Sequence, residues 1–207
     1  TGREVRLSFG SSGNFFRQIK QGAPFELFFS ADEDFVSELA KEGLTEDGGT
    51  LYAVGRIALL LPHGSPLKPD PSLDDLHAAI KDGRLKRFAI ANPEHAPYGM
   101  RAEEALREAG LWESIKSRLV LGENVSQAAQ FALSGNAQGG IVAYSLALAP
   151  ELAAKAGHAL IPDHMHQPLR QRVVAIKGAG ATAQAFLTFM QDEEARAIMR
   201  RYGFVLP

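Results

Sequence analysis

Cysteine is absent from the 207-residue chain, which removes disulfides, thiolate nucleophiles and Cys-ligated zinc from consideration and leaves cytoplasm and periplasm equally open. A surplus of charge of one sign is missing too. With 22 Lys and Arg against 24 Asp and Glu the formal net charge is -2, so no basic surface for nucleic acid is indicated, and no bulk positive charge would draw an anion in. Long apolar runs are lacking. The longest candidate, Ile57 to Leu61, falls far short of the roughly 18 residues that cross a bilayer. Fixed-period repeats and low-complexity segments are missing as well, which sets aside solenoids and linkers. What remains, 45% hydrophobic and 22% charged residues, is the balance of a folded chain with core enough for one large domain or two small lobes.

The pattern along the chain repeats one grammar of strand, small polar loop and helix. Val5 to Phe9 alternates like a strand, Gly10-Ser11-Ser12-Gly13 is a small-residue turn, and Asn14 to Gln21 is a helix stopped by Gly22. Phe25 to Ser30 leads through Ala31-Asp32-Glu33 into a helix over Phe35 to Glu42. Leu51 to Leu61 is predicted as one strand buried on both faces, ended by Pro62-His63-Gly64-Ser65-Pro66. A polar helix over Ser72 to Asp82 follows, then a strand at Phe88 to Ala91 and a helix over Met100 to Ala109 entered through Pro97-Tyr98-Gly99. The same sequence of signals covers Leu119 to Ser134, with further strands at Gly139 to Tyr144 and Val173 to Ile176. Helices over Thr182 to Met190 and Asp192 to Tyr202 complete the chain. The alternation predicts an α/β protein with mainly parallel sheets flanked by helices.

In such sheets ligands bind beyond the carboxyl ends of strands, where the next helix presents unpaired N–H groups and a positive dipole end. Three loops have this form: Ser11-Ser12-Gly13, Pro97-Tyr98-Gly99 and Asn124-Val125-Ser126. Each alone is an ordinary turn or helix entry; together they outline an anion site. None contains Lys or Arg. A site of neutral N–H and O–H donors suits a fully deprotonated dianion such as sulfate, molybdate or tungstate. Phosphate keeps a proton that needs an acceptor, and an unpaired group there costs about 1–3 kcal/mol.

The words around these loops narrow the class. Ser8-Phe9-Gly10-Ser11-Ser12-Gly13, Gln18-Ile19-Lys20-Gln21-Gly22-Ala23-Pro24 and Phe28-Phe29-Ser30-Ala31-Asp32 closely resemble, in order and spacing, the ModA-like periplasmic molybdate-binding proteins of ABC transporters. Ala91-Asn92-Pro93-Glu94-His95-Ala96-Pro97-Tyr98-Gly99, Glu123-Asn124-Val125 and Arg201-Tyr202-Gly203-Phe204 extend the resemblance across the chain. It implies a type II periplasmic-binding fold whose hinge the chain crosses twice, with lobe 1 made of residues 1–58 plus 171–207 and lobe 2 of residues 59–170. It also implies that Ser12 binds the oxyanion through hydroxyl and backbone N–H, and Tyr98 and Val125 through backbone N–H, supported by Ser11, Gly13, Gly99 and Asn124. The expected ligand is molybdate or tungstate, with no cofactor, no catalysis, a periplasmic location, a membrane permease as partner and a monomeric full-length state. Tyr144 lies one residue from the position where some members carry a tyrosine ligand, which turns it to the other face of a strand. Family members carry a further strand, loop and helix, about 30 residues, ahead of the segment matching Thr1-Gly2-Arg3. The expectation is therefore a first lobe lacking that unit, with strand edges left unpaired.

Alternatives are a sulfate-binding transport protein, or the oxyanion-sensing domain of a transcription regulator. The second needs a helix-turn-helix that these residues do not contain. Serine hydrolysis lacks a Gly-X-Ser-X-Gly elbow, and the Ser11-Ser12 loop lacks the lysine of a phosphate loop. An enzyme of the same fold needs a general acid or base that the three loops do not supply. Asp163-His164-Met165-His166 is read as a solvated loop, His95 as loop structure, and Trp112 as packing.

Overall fold

A computed structural model describes residue 2 and residues 4–207; Thr1 and Arg3 lie outside the described residues. In chain order the elements are α1 (Ser12–Lys20), β1 (Leu27–Ser30), α2 (Glu33–Lys41), β2 (Thr50–Gly55), β3 (Ile57–Pro62), α3 (Asp74–Lys81), β4 (Phe88–Ala91), α4 (Pro97–Glu108) and α5 (Trp112–Ile115). They continue with β5 (Leu119–Gly122), α6 (Val125–Leu133), β6 (Gly140–Ala143), α7 (Tyr144–Ala147), α8 (Pro150–Ala153), β7 (Ala156–Leu160), β8 (Leu169–Ala175), α9 (Ala181–Phe189) and α10 (Glu193–Arg201).

The strands form two sheets, one in the order β1-β8-β2 and one in the order β5-β4-β6-β3-β7. The expected single strand over Leu51 to Leu61 is two strands, because Arg56 stands where the chain passes from the first sheet to the second. The sheets are also not mainly parallel in their pairing: β4 pairs parallel with β5 and β6, while β8 runs against β1 and β2, and β3 against β6 and β7. The cause is topological. β3 and β8 are the strands by which the chain enters a sheet from the other one, so each arrives from the opposite end and lies between strands running the other way. β7, built of the weak strand formers Ala156-Gly157-His158-Ala159-Leu160, goes unnoticed in the sequence because only its pairing with β3 makes it a strand.

The central strands of the five-stranded sheet, β4, β6 and β3, are buried on both faces. Ile57, Leu59, Leu61, Phe88, Ile90 and Ile141 face a core with α3 and α4, and Ala58, Leu60, Ala89 and Val142 face a second core with Ala129 and Ala132 of α6. A smaller core of Ile19, Phe28, Val36, Leu39 and Val174 holds α1 and α2 on the three-stranded sheet.

The residues Val5 to Phe9 do not form the expected strand. They make no ladder, and Val5, Leu7 and Phe9 are exposed; alternation of apolar residues gives a strand only where a neighbour pairs with its backbone. Between this segment, β1 and α9 lies a cavity of about 620 Å³, and among the described residues β1 pairs only with β8.

Candidate anion site

Local chemistry sets the helix entries. Ser11 is extended (φ −79°, ψ 147°) and its Oγ accepts from the Asn14 N–H at 3.3 Å, starting α1. Asp32 accepts from the Asp34 N–H at 3.0 Å to start α2, and Asn124 from the Gln127 N–H at 2.9 Å to start α6. Pro97 occupies the first turn of α4, where its missing N–H is harmless.

The entries of α1, α4 and α6 meet at one small cavity. Gly10, Ser11, Ser12, Ala96, Pro97, Tyr98 and Val125 line it together with Phe29, Ala31, Tyr52 and Gln171, and its volume is about 130 Å³. It lies between the two sheets: Phe29, Tyr52 and Gln171 belong to β1, β2 and β8, while Tyr98 and Val125 open helices packed on the larger sheet. Organic ligand sites run to about 300–1,000 Å³, so this space suits a small ion.

The expected donors converge here. Among the described residues, the backbone N–H groups of Ser12, Tyr98 and Val125 meet no protein acceptor, as first-turn amides require a partner from outside the helix. The Ser12 Oγ accepts from the Ala31 N–H at 2.9 Å, which leaves its own hydrogen to donate elsewhere. Among the described residues no Lys, Arg, Asp, Glu or His lines the cavity.

The supporting residues have distinct parts. Gly13 donates its N–H to the His95 carbonyl at 3.0 Å, and a Cβ there would stand 2.6 Å from that oxygen. Gly99 lets α4 lie against the end of β4; a Cβ at this position would come within 2.2 Å of the Ala91 carbonyl oxygen. Asn124 caps α6 and so fixes where the Val125 amide sits.

Several lining groups escape sequence reasoning. The Tyr52 hydroxyl donates to Gln171 Oε1 at 2.7 Å, and Gln171 Nε2 donates to the Tyr98 hydroxyl at 2.7 Å, joining β2, β8 and α4. A register shift of β2 between Leu51 and Ala53 turns Tyr52 toward this chain. Burial pushes the Tyr98 phenol up to about 12, with the Gln171 hydrogen bond acting weakly the other way. Burial, reinforced by Tyr98, pushes Tyr52 higher still. Both phenols thus remain protonated donors at neutral pH.

His95 is not simply loop structure. It is buried, and its Nδ1 lies 2.9 Å from the Ser11 Oγ, with the Glu123 carboxylate 3.5 Å from Nε2. Tyr144 lies away from the cavity, its ring against His158 at 5.6 Å. His164 falls in a short 3-10 turn over Asp163–Met165, and no group of His, Asp and Glu suited to a metal occurs among the described residues. Trp112 packs under the Arg107 guanidinium at 4.9 Å.

Two sheets with their helices and a small cavity between them are the architecture of solute-binding proteins. The chain belongs to the bacterial extracellular solute-binding protein family, whose family model matches residues 1–205. It is 38% identical to the molybdate-binding protein ModA of Rhodobacter capsulatus over 99% of this chain and 79% of that protein. It is also 38% identical to ModA of Azotobacter vinelandii over 100% of this chain and 81% of that one. The solved structure of the Azotobacter vinelandii periplasmic molybdate-binding protein superposes with a TM-score of 0.87 at 32% identity, covering 100% of this chain and 89% of that one. The sulfate-binding protein SubI of Mycobacterium tuberculosis shares the fold, with a TM-score of 0.78 at 18% identity over 99% of this chain and 77% of that one.

Proposed function

We propose that the protein captures molybdate or tungstate between two lobes and hands it to the membrane permease of an ABC transporter, without catalytic chemistry of its own. The lobes are residues 1–58 with 171–207 and residues 59–170, and the changes of sheet near Arg56 and between β7 and β8 support hinges at these places. The observation that carries this reading is the uncharged, donor-lined cavity of about 130 Å³. Ser12, Tyr98 and Val125 supply the donors, and Ser11, Gly13, Gly99 and Asn124 hold them in place.

A dianion without protons satisfies such a ring of donors, whereas hydrogen phosphate brings a donor of its own to a lining poor in acceptors. The ModA names of the relatives support molybdate over sulfate, and a periplasmic location and monomeric state follow from the same reading. Among the described residues no helix is long and apolar enough to cross a membrane, which accords with delivery to a separate permease. Titration calorimetry with molybdate, tungstate, sulfate and phosphate tests the assignment: molybdate and tungstate should bind far more tightly than phosphate. Tight phosphate binding with no molybdate heat would overturn it.

A further inference from the structure

The site has a feature that anion capture alone does not use. Ser11 is buried at the cavity wall, and its Oγ already accepts one hydrogen bond, from the Asn14 N–H at 3.3 Å. Its other close polar contact is His95 Nδ1 at 2.9 Å. The opposite ring nitrogen of His95 faces Glu123 at 3.5 Å, and a carboxylate only accepts. With the proton of a neutral imidazole on Nε2, toward that carboxylate, Nδ1 is left as an acceptor. In that state Ser11 must give its one hydrogen to His95, and the serine turns only a lone pair toward the cavity. When His95 gains a second proton, Nδ1–H becomes a donor to the Ser11 Oγ. The serine hydrogen is then released to swing toward a bound oxygen.

We infer that His95 is a positioning residue that sets the direction of the Ser11 hydroxyl, so that binding a proton-free oxyanion is coupled to uptake of one proton by His95. This rests on the proposed anion site. The contacts run across the seam: Ser11 and Gly13 belong to α1 and its cap, while His95 precedes α4 and Glu123 precedes α6. From α1 the facing groups are the neutral Ser11 hydroxyl and Gly13 amide; from the loop before α6 it is Glu123; and Glu94, next in the chain, is exposed to solvent. No other ion pair to the ring occurs among the described residues. The two steps balance: one proton moves from solvent to Nδ1, and one hydrogen bond reverses its direction between Nδ1 and Oγ while the Oγ keeps its own hydrogen.

The test is the affinity for molybdate, which carries no proton over this range, measured by calorimetry from about pH 5.5 to about pH 8.5, on either side of the ordinary imidazole value of about 6.5. Repeating the titrations in buffers of different ionisation heat reads proton uptake directly. Wild-type protein should take up as much as one proton, and its affinity should fall by up to about tenfold per pH unit above the imidazole range. His95→Asn places a non-titrating amide near the Nδ1 position and should give a flat profile with no proton uptake. Thermal unfolding of the variant reports whether it is folded.

Molybdate binding with a flat wild-type profile and no proton uptake, or a slope that persists in His95→Asn, overturns this inference and leaves the proposed function standing. Failure of the wild-type protein to bind molybdate at any pH overturns both.

Discussion

Replacing Tyr98 by Phe removes one oxygen from the link across the seam and should separate ligand affinity from fold stability. The lost hydroxyl accepts from Gln171 Nε2 at 2.7 Å, and Gln171 is only 3% exposed. Phenylalanine leaves that amide hydrogen without a partner, at a cost of about 1–3 kcal/mol, which is a weakening of roughly 5- to 150-fold if the whole of it falls on binding. It should fall there because Gln171 lies in β8 of the three-stranded sheet while Tyr98 lies in α4, which packs on the five-stranded one. On the proposed two-lobe reading, water reaches the amide when the lobes part, so the penalty is met only in the closed, ligand-holding arrangement. Tyr52→Phe is the control. Its hydroxyl also meets Gln171, at 2.7 Å, but β2 and β8 are neighbours in one sheet, so its loss should lower stability with or without ligand. Molybdate titrations and urea unfolding of the ligand-free protein measure the two effects. The reasoning is refuted if Tyr98→Phe binds as tightly as wild type, or if its ligand-free stability drops as much as that of Tyr52→Phe.

Gly99→Ala should destabilise the fold by about 1–3 kcal/mol, since its Cβ would stand 2.2 Å from the Ala91 carbonyl oxygen and force α4 away from β4; a urea midpoint equal to that of wild type would contradict this. Alkaline unfolding should follow the buried phenols. Tyr98 is held near 12 when folded against about 10 when unfolded, so its contribution is intact below pH 10 and is lost as pH rises through 12. The loss is roughly 3 kcal/mol for this group. Phenolate absorbance should therefore appear together with loss of structure, and ionisation of all four tyrosines while the fold persists would count against it.

The parts of the molecule that are legible in the sequence are those governed by neighbours in the chain. Ser11, Asp32 and Asn124 start helices because a short oxygen-bearing side chain can reach an amide two or three residues on, and Pro97 marks the start of α4 in another way; the choice of Ser12, Tyr98 and Val125 within these loops comes from the family resemblance. Tyr52 and Gln171 stand 119 residues apart, and nothing near either one marks their meeting. The division at Arg56 is hidden for another reason. Strands in both sheets are rich in apolar residues, so Leu51 to Leu61 reads as one run, and the lone arginine in it is the available sign that the backbone leaves one sheet there. Val5 to Phe9 fails in the opposite sense, since its alternation is genuine but a ladder needs a second backbone. His95 offers no outward sign at all: a histidine between Glu94 and Ala96 in a proline-flanked loop looks solvated until the serine against it is known.

A cavity ringed by dipoles instead of cations also has a kinetic signature. Amide and hydroxyl dipoles act over a few ångströms, and a chain of formal charge -2 sets up no long-range field that pulls a dianion inward. Encounter with the ion should thus be unsteered, and added salt, which screens charges over a Debye length of about 8–10 Å, should not slow it. Tight retention must then reside in slow escape. On the proposed reading, the ion leaves only when something prises the halves apart, which makes the rate of handover a property of whatever opens the seam.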